Sequence, residues 1–293
     1  MDITTGIESA YFLGTGGLRL AADTLGDPGH RAVVLLPGAG QTRLAWRRTA
    51  LALTQAGYRV ISLDLRGHGG SDWSTTADYS IDAFVGDVLQ VLHQVTQEPV
   101  VVGASIGGIA LAIAVGENPG TRVKGLVLVD VVPDMRTEGL ARIRGFMEAG
   151  TSGFATVEEA AAAVAHYLPG RPKPSSTAGL ENNLRRGADD RLYWHWDPAF
   201  HGGSKARAAG GMFERMADAA AHVRVPTLLV SGGQSDVVNP DGIDRLRRSI
   251  PDARWGSIPG ASHMMTGVGN HVFTAALLDF VTAVNHRQQA VVP

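Results

Sequence analysis

Short apolar runs without alternation recur along the chain, separated by longer stretches in which apolar residues return every three or four positions. Runs at Ala32–Leu36, Arg59–Leu63, 99–102, Gly125–Val129, 227–231 and Arg254–Ile258 read as buried strands rich in Val, Ile and Leu. A strand apolar on both faces suits a parallel sheet covered by helices on each side. Between these runs, residues 81–95 place Ile81, Phe84, Val85, Val88, Leu89, Leu92 and Val95 on one helical face. Residues 43–55 form a second predicted helix, stopped by Gly57. Asn239-Pro240 reads as an N-cap followed by proline at the first helical position, opening a helix through Ile250. Residues 274–284 supply a last amphipathic helix, and residues 11–22 read as an antiparallel hairpin at a sheet edge. Strands alternating with helices predict an α/β fold built on a mostly parallel, twisted sheet flanked by helices.

The rhythm breaks between residues 133 and 221, where no strand-like run is visible. That stretch holds alanine-rich helical sequence, a Pro/Arg loop and the aromatic cluster Tyr193-Trp194-His195-Trp196. It reads as a helical cap inserted into the sheet. The expected division is residues 1–132 as the first part of the core, 133–221 as the cap and 222–293 as the second part of the core.

Composition narrows the chemistry. The 293 residues contain no cysteine, which excludes a disulfide framework, zinc–thiolate sites and a thiol nucleophile. A net charge of −2 with no Lys/Arg block argues against nucleic acid or a membrane surface as partner. No apolar stretch approaches a membrane span, and the first residues carry neither a basic region nor an apolar run, so a cytoplasmic protein is expected.

The chemistry concentrates at Gly103-Ala104-Ser105-Ile106-Gly107, a G-x-S-x-G pattern between an apolar strand and a small-residue helix. Such a strand–turn–helix holds its serine on a strained turn with the hydroxyl exposed above the sheet. The competing reading is a tight βα turn whose serine caps the helix. A serine needs a base to take its proton, and a histidine base needs a carboxylate on its other nitrogen. Asp236 follows a predicted strand and a glycine turn, and His263 follows the last strand, giving the chain order Ser…Asp…His. Asp130, also at a strand end, competes with Asp236. The oxyanion donors are expected to be the backbone N–H groups of Ile106 and of Ala39, in the glycine-rich turn after the first parallel strand. Tyr193, Trp194 and Met264 are candidate substrate-pocket residues; the alternative for the aromatic cluster is packing of the cap on the core. Asp64, Arg66 and His68 are expected to tie the turn after their strand. No metal-ligand spacing and no phosphate-binding glycine motif is present.

Taken together these motifs resemble the cap-bearing serine hydrolase branch of the α/β-hydrolase superfamily. Leu63-Asp-Leu-Arg-Gly-His-Gly-Gly-Ser-Asp72 is similar to its D-x-R-G-x-G-x-S signature, and Gly260-Ala-Ser-His263 to its last strand–loop unit. The resemblance implies Ser105 as nucleophile, Asp236 as orienting acid and His263 as base, with no cofactor and no metal. Family members that open epoxides or displace halide carry aspartate at the elbow, so Ser105 implies acyl chemistry on a small, mainly apolar ester or lactone. Carbon–carbon bond cleavage, perhydrolysis and a slow-turnover ligand receptor are the alternatives on the same triad. A homodimer is compatible with this reading. One departure stands out: the family usually has His-Gly where this chain has Pro37-Gly38; proline has neither N–H nor imidazole, but its fixed φ can rigidify the same turn, so an oxyanion hole of different shape is expected.

Overall fold

The computed structural model describes residues 6–167, 178–202, 210–263 and 271–286. Eight strands form one sheet in the order β1-β2-β4-β3-β5-β6-β9-β10. The edge hairpin is β1 (Ile7–Leu13) and β2 (Arg19–Leu25), antiparallel to each other, and β2 is antiparallel to β4 (Arg59–Leu63). From β4 onward every pairing is parallel, through β3 (Ala32–Leu36), β5 (Val100–Ala104), β6 (Gly125–Val129), β9 (Thr227–Gly232) and β10 (Arg254–Ile258).

The two-faced apolar character of these strands has its explanation in two cores. Val34, Leu36, Val101 and Leu128 point toward α2 (Ile81–Gln94), α3 (Ile106–Glu117) and α9 (Pro240–Ser249). Val33, Leu35, Val100 and Val102 point the other way, toward α1 (Arg47–Gln55) and α10 (His271–His286). Successive strand residues face opposite sides, so continuous apolar sequence fills both layers. The strand at 254–258 departs from expectation. It is the sheet edge, with Ile258 its one buried side chain and Trp255 46% exposed. The helix expected over 43–55 begins as a 3₁₀ turn, Arg43–Trp46, before α1.

Between β6 and β9 the chain leaves the sheet. It forms α4 (Thr137–Glu148), α5 (Val157–Tyr167), α6 (Ala178–Glu181), α7 (Ala199–Gly202) and α8 (Gly210–Ala220). It also forms a small antiparallel pair, β7 (Leu184–Arg186) with β8 (Leu192–Trp194), where no strand was expected. Three-residue strands fall below the length at which periodicity is readable. The turn joining them is closed by Gly187 N–H donating to Arg191 O at 2.8 Å and by the Tyr193 hydroxyl donating to Asp189 at 2.7 Å.

Helix α3 is buried on every side, which explains its uniformly small and aliphatic sequence. A Cβ at Gly116 would lie 2.0 Å from the carbonyl oxygen of Ala219 on α8. Gly116→Ala should therefore cost about 1–3 kcal/mol through forced separation of the two helices. Gly120→Ala, in open space, should leave stability nearly unchanged. Denaturant unfolding of both variants checks the contrast.

Candidate active site

Ser105 occupies the step from β5 into α3 with φ 47° and ψ −121°, a conformation disfavoured for a residue with a Cβ. Its N–H donates to Val129 O at 3.1 Å, and its carbonyl accepts from Ile109 N–H at 2.9 Å. The hydroxyl does not cap the helix, so the capping alternative has no support in the geometry. The flanking glycines are required by contact. A Cβ at Gly103 would fall 2.6 Å from the backbone of Gly107, and one at Gly107 would fall 2.6 Å from Pro37 O.

His263, in the loop after β10, places Nδ1 2.7 Å from Oδ2 of Asp130. Asp130 directly follows β6, with φ 50°, and is 1% exposed. Its Oδ1 accepts from Gly232 N–H at 2.8 Å, and Oδ2 accepts in addition from the Ser235 hydroxyl at 2.7 Å. Held in place by these contacts, the buried carboxylate accepts from Nδ1–H and so orients the imidazole with its proton on Nδ1. The other nitrogen, Nε2, is then left with a lone pair. Ser105 and His263 line one cavity of about 830 Å³.

Asp236 is not the partner of His263, which corrects the expectation from chain order. It forms an ion pair with Arg142 of α4 at 2.5 Å, both side chains partly exposed. The physical reason lies in the turn after β9. There Ser235 directs its hydroxyl inward to Asp130, and the following residue projects outward.

The loop after β3 lies against the elbow: a Cβ on Gly38 would be 3.3 Å from Cβ of Ser105. Ala39 lines the cavity beside Ser105. Ile106 is the first residue of α3, where an N–H has no intrahelical acceptor. Among the described residues neither of these two amides has a backbone acceptor. Gln41 closes this loop: Gly38 N–H donates to Oε1 of Gln41 at 3.0 Å. In the sequence Gln41 is marked only by its position three residues after Gly38, within reach of a turn.

Of the aromatic cluster, Trp194 and Trp196 line the cavity, stacked at 5.2 Å with 13° between planes. Phe146, Met147 and Ile143 of α4 face them. Tyr193 does not line it, a second correction. Neighbours on a strand face opposite ways, so with Trp194 inward Tyr193 turns out, its ring under the Arg185 guanidinium at 5.1 Å. Met264 lies outside the described residues. The D-x-R-G-H-G segment ties its turn as expected. Asp64 accepts from Gly70 N–H at 2.8 Å and pairs with Arg43, while Arg66 holds Asp87 in a buried two-pronged pair at 2.5 and 2.6 Å. Among the described residues no group of three His, Asp or Glu is placed to hold a metal ion, and no helix is long and apolar enough to cross a membrane.

Comparison with known proteins agrees with this architecture. A family profile described as alpha/beta hydrolase fold matches residues 31–268. The chain is 25% identical over 227 residues to 2-(acetamidomethylene)succinate hydrolase of Mesorhizobium japonicum, covering 77% of this chain and 79% of the relative. It is 26% identical to epoxide hydrolase A of Mycobacterium tuberculosis over 96% of this chain and 100% of the relative. It is 29% identical to a non-heme haloperoxidase of Rhodococcus erythropolis over 80% and 86%. The crystal structure of E-2-(acetamidomethylene)succinate hydrolase superposes with a TM-score of 0.81 at 22% identity, covering 94% of this chain and 99% of that one.

Two buried histidines beside the site make stability pH-dependent. Burial pushes His68 down to about 4 and His195 down to about 3. In the unfolded chain both titrate near pH 6.5. Below that value the unfolded state binds more protons than the native state, so stability is full above about pH 6.5 and declines as pH falls. Thermal melts between pH 7 and pH 4.5 should show a steadily falling Tm. Replacing His68 with Gln, which does not titrate, should make that slope shallower.

Proposed function

Because the chain belongs to the α/β-hydrolase family, we propose that it is a serine hydrolase that cleaves a carboxylic ester or lactone through an acyl-enzyme. The observation that carries this reading is the pairing of His263 with the buried carboxylate of Asp130, on the same cavity as the strained Ser105. In the proposed reaction the Ser105 hydroxyl attacks the substrate carbonyl while Nε2 of His263 takes its proton. Asp130 stabilises the resulting imidazolium through Nδ1–H. The amides of Ala39 and Ile106 receive the negative charge that develops on the carbonyl oxygen. Collapse expels the alcohol, protonated by His263, and leaves Ser105 acylated. Water then attacks the acyl group, giving its proton to His263, and the acid departs as Ser105 regains its hydrogen. In a lactone the alcohol stays tethered and a hydroxy acid is released.

The segment between β6 and β9 serves as a cap in this reading. Trp194, Trp196, Phe146 and Met147 wall the cavity, which favours an apolar acyl or ring substituent near the scissile bond. A serine at the elbow separates this chain from aspartate-based epoxide opening, whatever its similarity to epoxide hydrolase A. The haloperoxidase relative favours one second reading, in which hydrogen peroxide replaces water and a peracid is released.

A fluorophosphonate probe should label the protein at Ser105, and p-nitrophenyl esters of short acids should be turned over repeatedly. Ser105→Ala should abolish labelling and lower turnover by at least ~10³-fold. Absence of both reactions in the folded wild-type protein would overturn the proposal. A peracid assay with added peroxide decides the second reading.

The two aspartates give a sharper test. Asp130→Asn should lower kcat roughly 10³–10⁴-fold, because the amide cannot hold the imidazole in the required tautomer with equal strength. Asp236→Asn, which loosens a partly exposed ion pair, should leave kcat within about twofold. Equal losses in both variants, measured with the same ester, would remove Asp130 from its assigned role.

A further inference from the structure

The segment Trp194–Asp197 is more than a wall of the pocket. Its side chains alternate: Trp194 and Trp196 face the cavity, while His195 and Asp197 face the core. Asp197 accepts a hydrogen bond from the Tyr79 hydroxyl, and its own N–H donates to Gly67 O at 2.8 Å. His195, 6% exposed, accepts at Nδ1 from Gly69 N–H at 2.8 Å. A backbone N–H can only donate, so Nδ1 must be the unprotonated nitrogen and the ring proton must sit on Nε2. That Nε2 faces the carbonyl oxygen of Gly40 at 3.4 Å.

Gly40 belongs to the loop that carries the Ala39 amide. It has φ 71°, and a Cβ there would meet Met147 at 3.2 Å and Trp196 at 3.4 Å. The peptide linking Gly40 to Gln41 is therefore held by His195 at its carbonyl, while Met147 and Trp196 occupy the space a side chain at Gly40 would need. Gln41 holds the start of the same loop through Gly38.

We infer that His195 is a positioning residue for the oxyanion loop, with its Nε2–H holding Gly40 O so that the Ala39 amide stays aimed at the carbonyl oxygen attacked by Ser105. The inference rests on the hydrolase reading above. It makes the segment between β6 and β9 part of the catalytic geometry: the segment braces the loop after β3 from outside the sheet. The buried ring is neutral throughout the neutral pH range, so the brace does not titrate during turnover.

Two substitutions separate the two ends of the imidazole. His195→Asn can still accept from Gly69 N–H but is too short to donate to Gly40. His195→Gln extends a donor to about the place of Nε2. In ester hydrolysis the asparagine variant should lose about 10–100-fold in kcat with KM within about twofold, since small displacements of a preorganised group cost rate more than binding. Its inhibition constant for benzeneboronic acid, whose tetrahedral serine adduct places an oxygen where the oxyanion forms, should rise by a similar factor. His195→Gln should recover most of the lost rate. Wild-type kcat in the asparagine variant, or equal losses in both, would overturn the inference.

A measurement on the wild-type protein does not depend on either variant's fold. With ¹⁵N-histidine labelling, the His195 signal should show the proton on Nε2; a proton on Nδ1 would overturn the inference. Failure of the wild type to react with fluorophosphonate would instead remove the hydrolase reading and this inference with it. Labelling of the wild type, followed by an unaffected asparagine variant, removes this inference alone.

Discussion

The close crossing of β5 and α3 is the constraint on which the site depends. Gly103, Gly107 and Gly108 let the helix start almost on top of the strand, and Ser105 is left on the turn with a positive φ. The same crossing sets the neighbouring loop, because β3 pairs with β5 and Pro37 O lies where a Gly107 side chain would be. The serine and the loop that faces it are therefore positioned by one piece of backbone packing. Any side chain at those glycines would separate them, since at each one a backbone atom stands within 2.7 Å of where the Cβ would be.

Charge is handled differently on the two sides of the elbow. On one side the buried carboxyl group of Asp130 has three hydrogen-bond partners, one of them the imidazole of His263. On the other, His68 and His195 are buried without a carboxylate on either ring and are kept neutral by desolvation. The site thus sets one histidine against an acid partner and uses the others as fixed hydrogen-bonding pieces. The tautomer of His195 follows from the single N–H it accepts.

How far the chain could be read in advance depended on the range of the interaction involved. The strands, their order of appearance and the elbow were legible, because apolar runs, glycines and a proline report on local backbone and two-sided burial. Local motifs singled out Ser105 and the glycine loop at Ala39, and chain order singled out His263; the fold brings all three to one cavity. Asp236 against Asp130 could not be settled that way. Both follow strands, and the choice turned on whether Ser235 or its neighbour points inward at one turn. Tyr193 was lost for a related reason: the three-residue strand that sends it outward is too short to leave a periodic trace. Gln41 and His195 act through backbone groups that lie beside them only after folding.

The sequence by itself determined the α/β layering and the strained turn at Ser105, since each rests on contacts within a few residues or on burial averaged over a strand. The tertiary structure alone decided which carboxylate meets His263, which aromatic rings line the cavity and which side chains reach the loop after β3. Those depend on side-chain direction between segments far apart in the chain, 133 residues for His263 and Asp130 and 155 for His195 and Gly40. Direction of that kind is set by packing against neighbours that the linear pattern does not name.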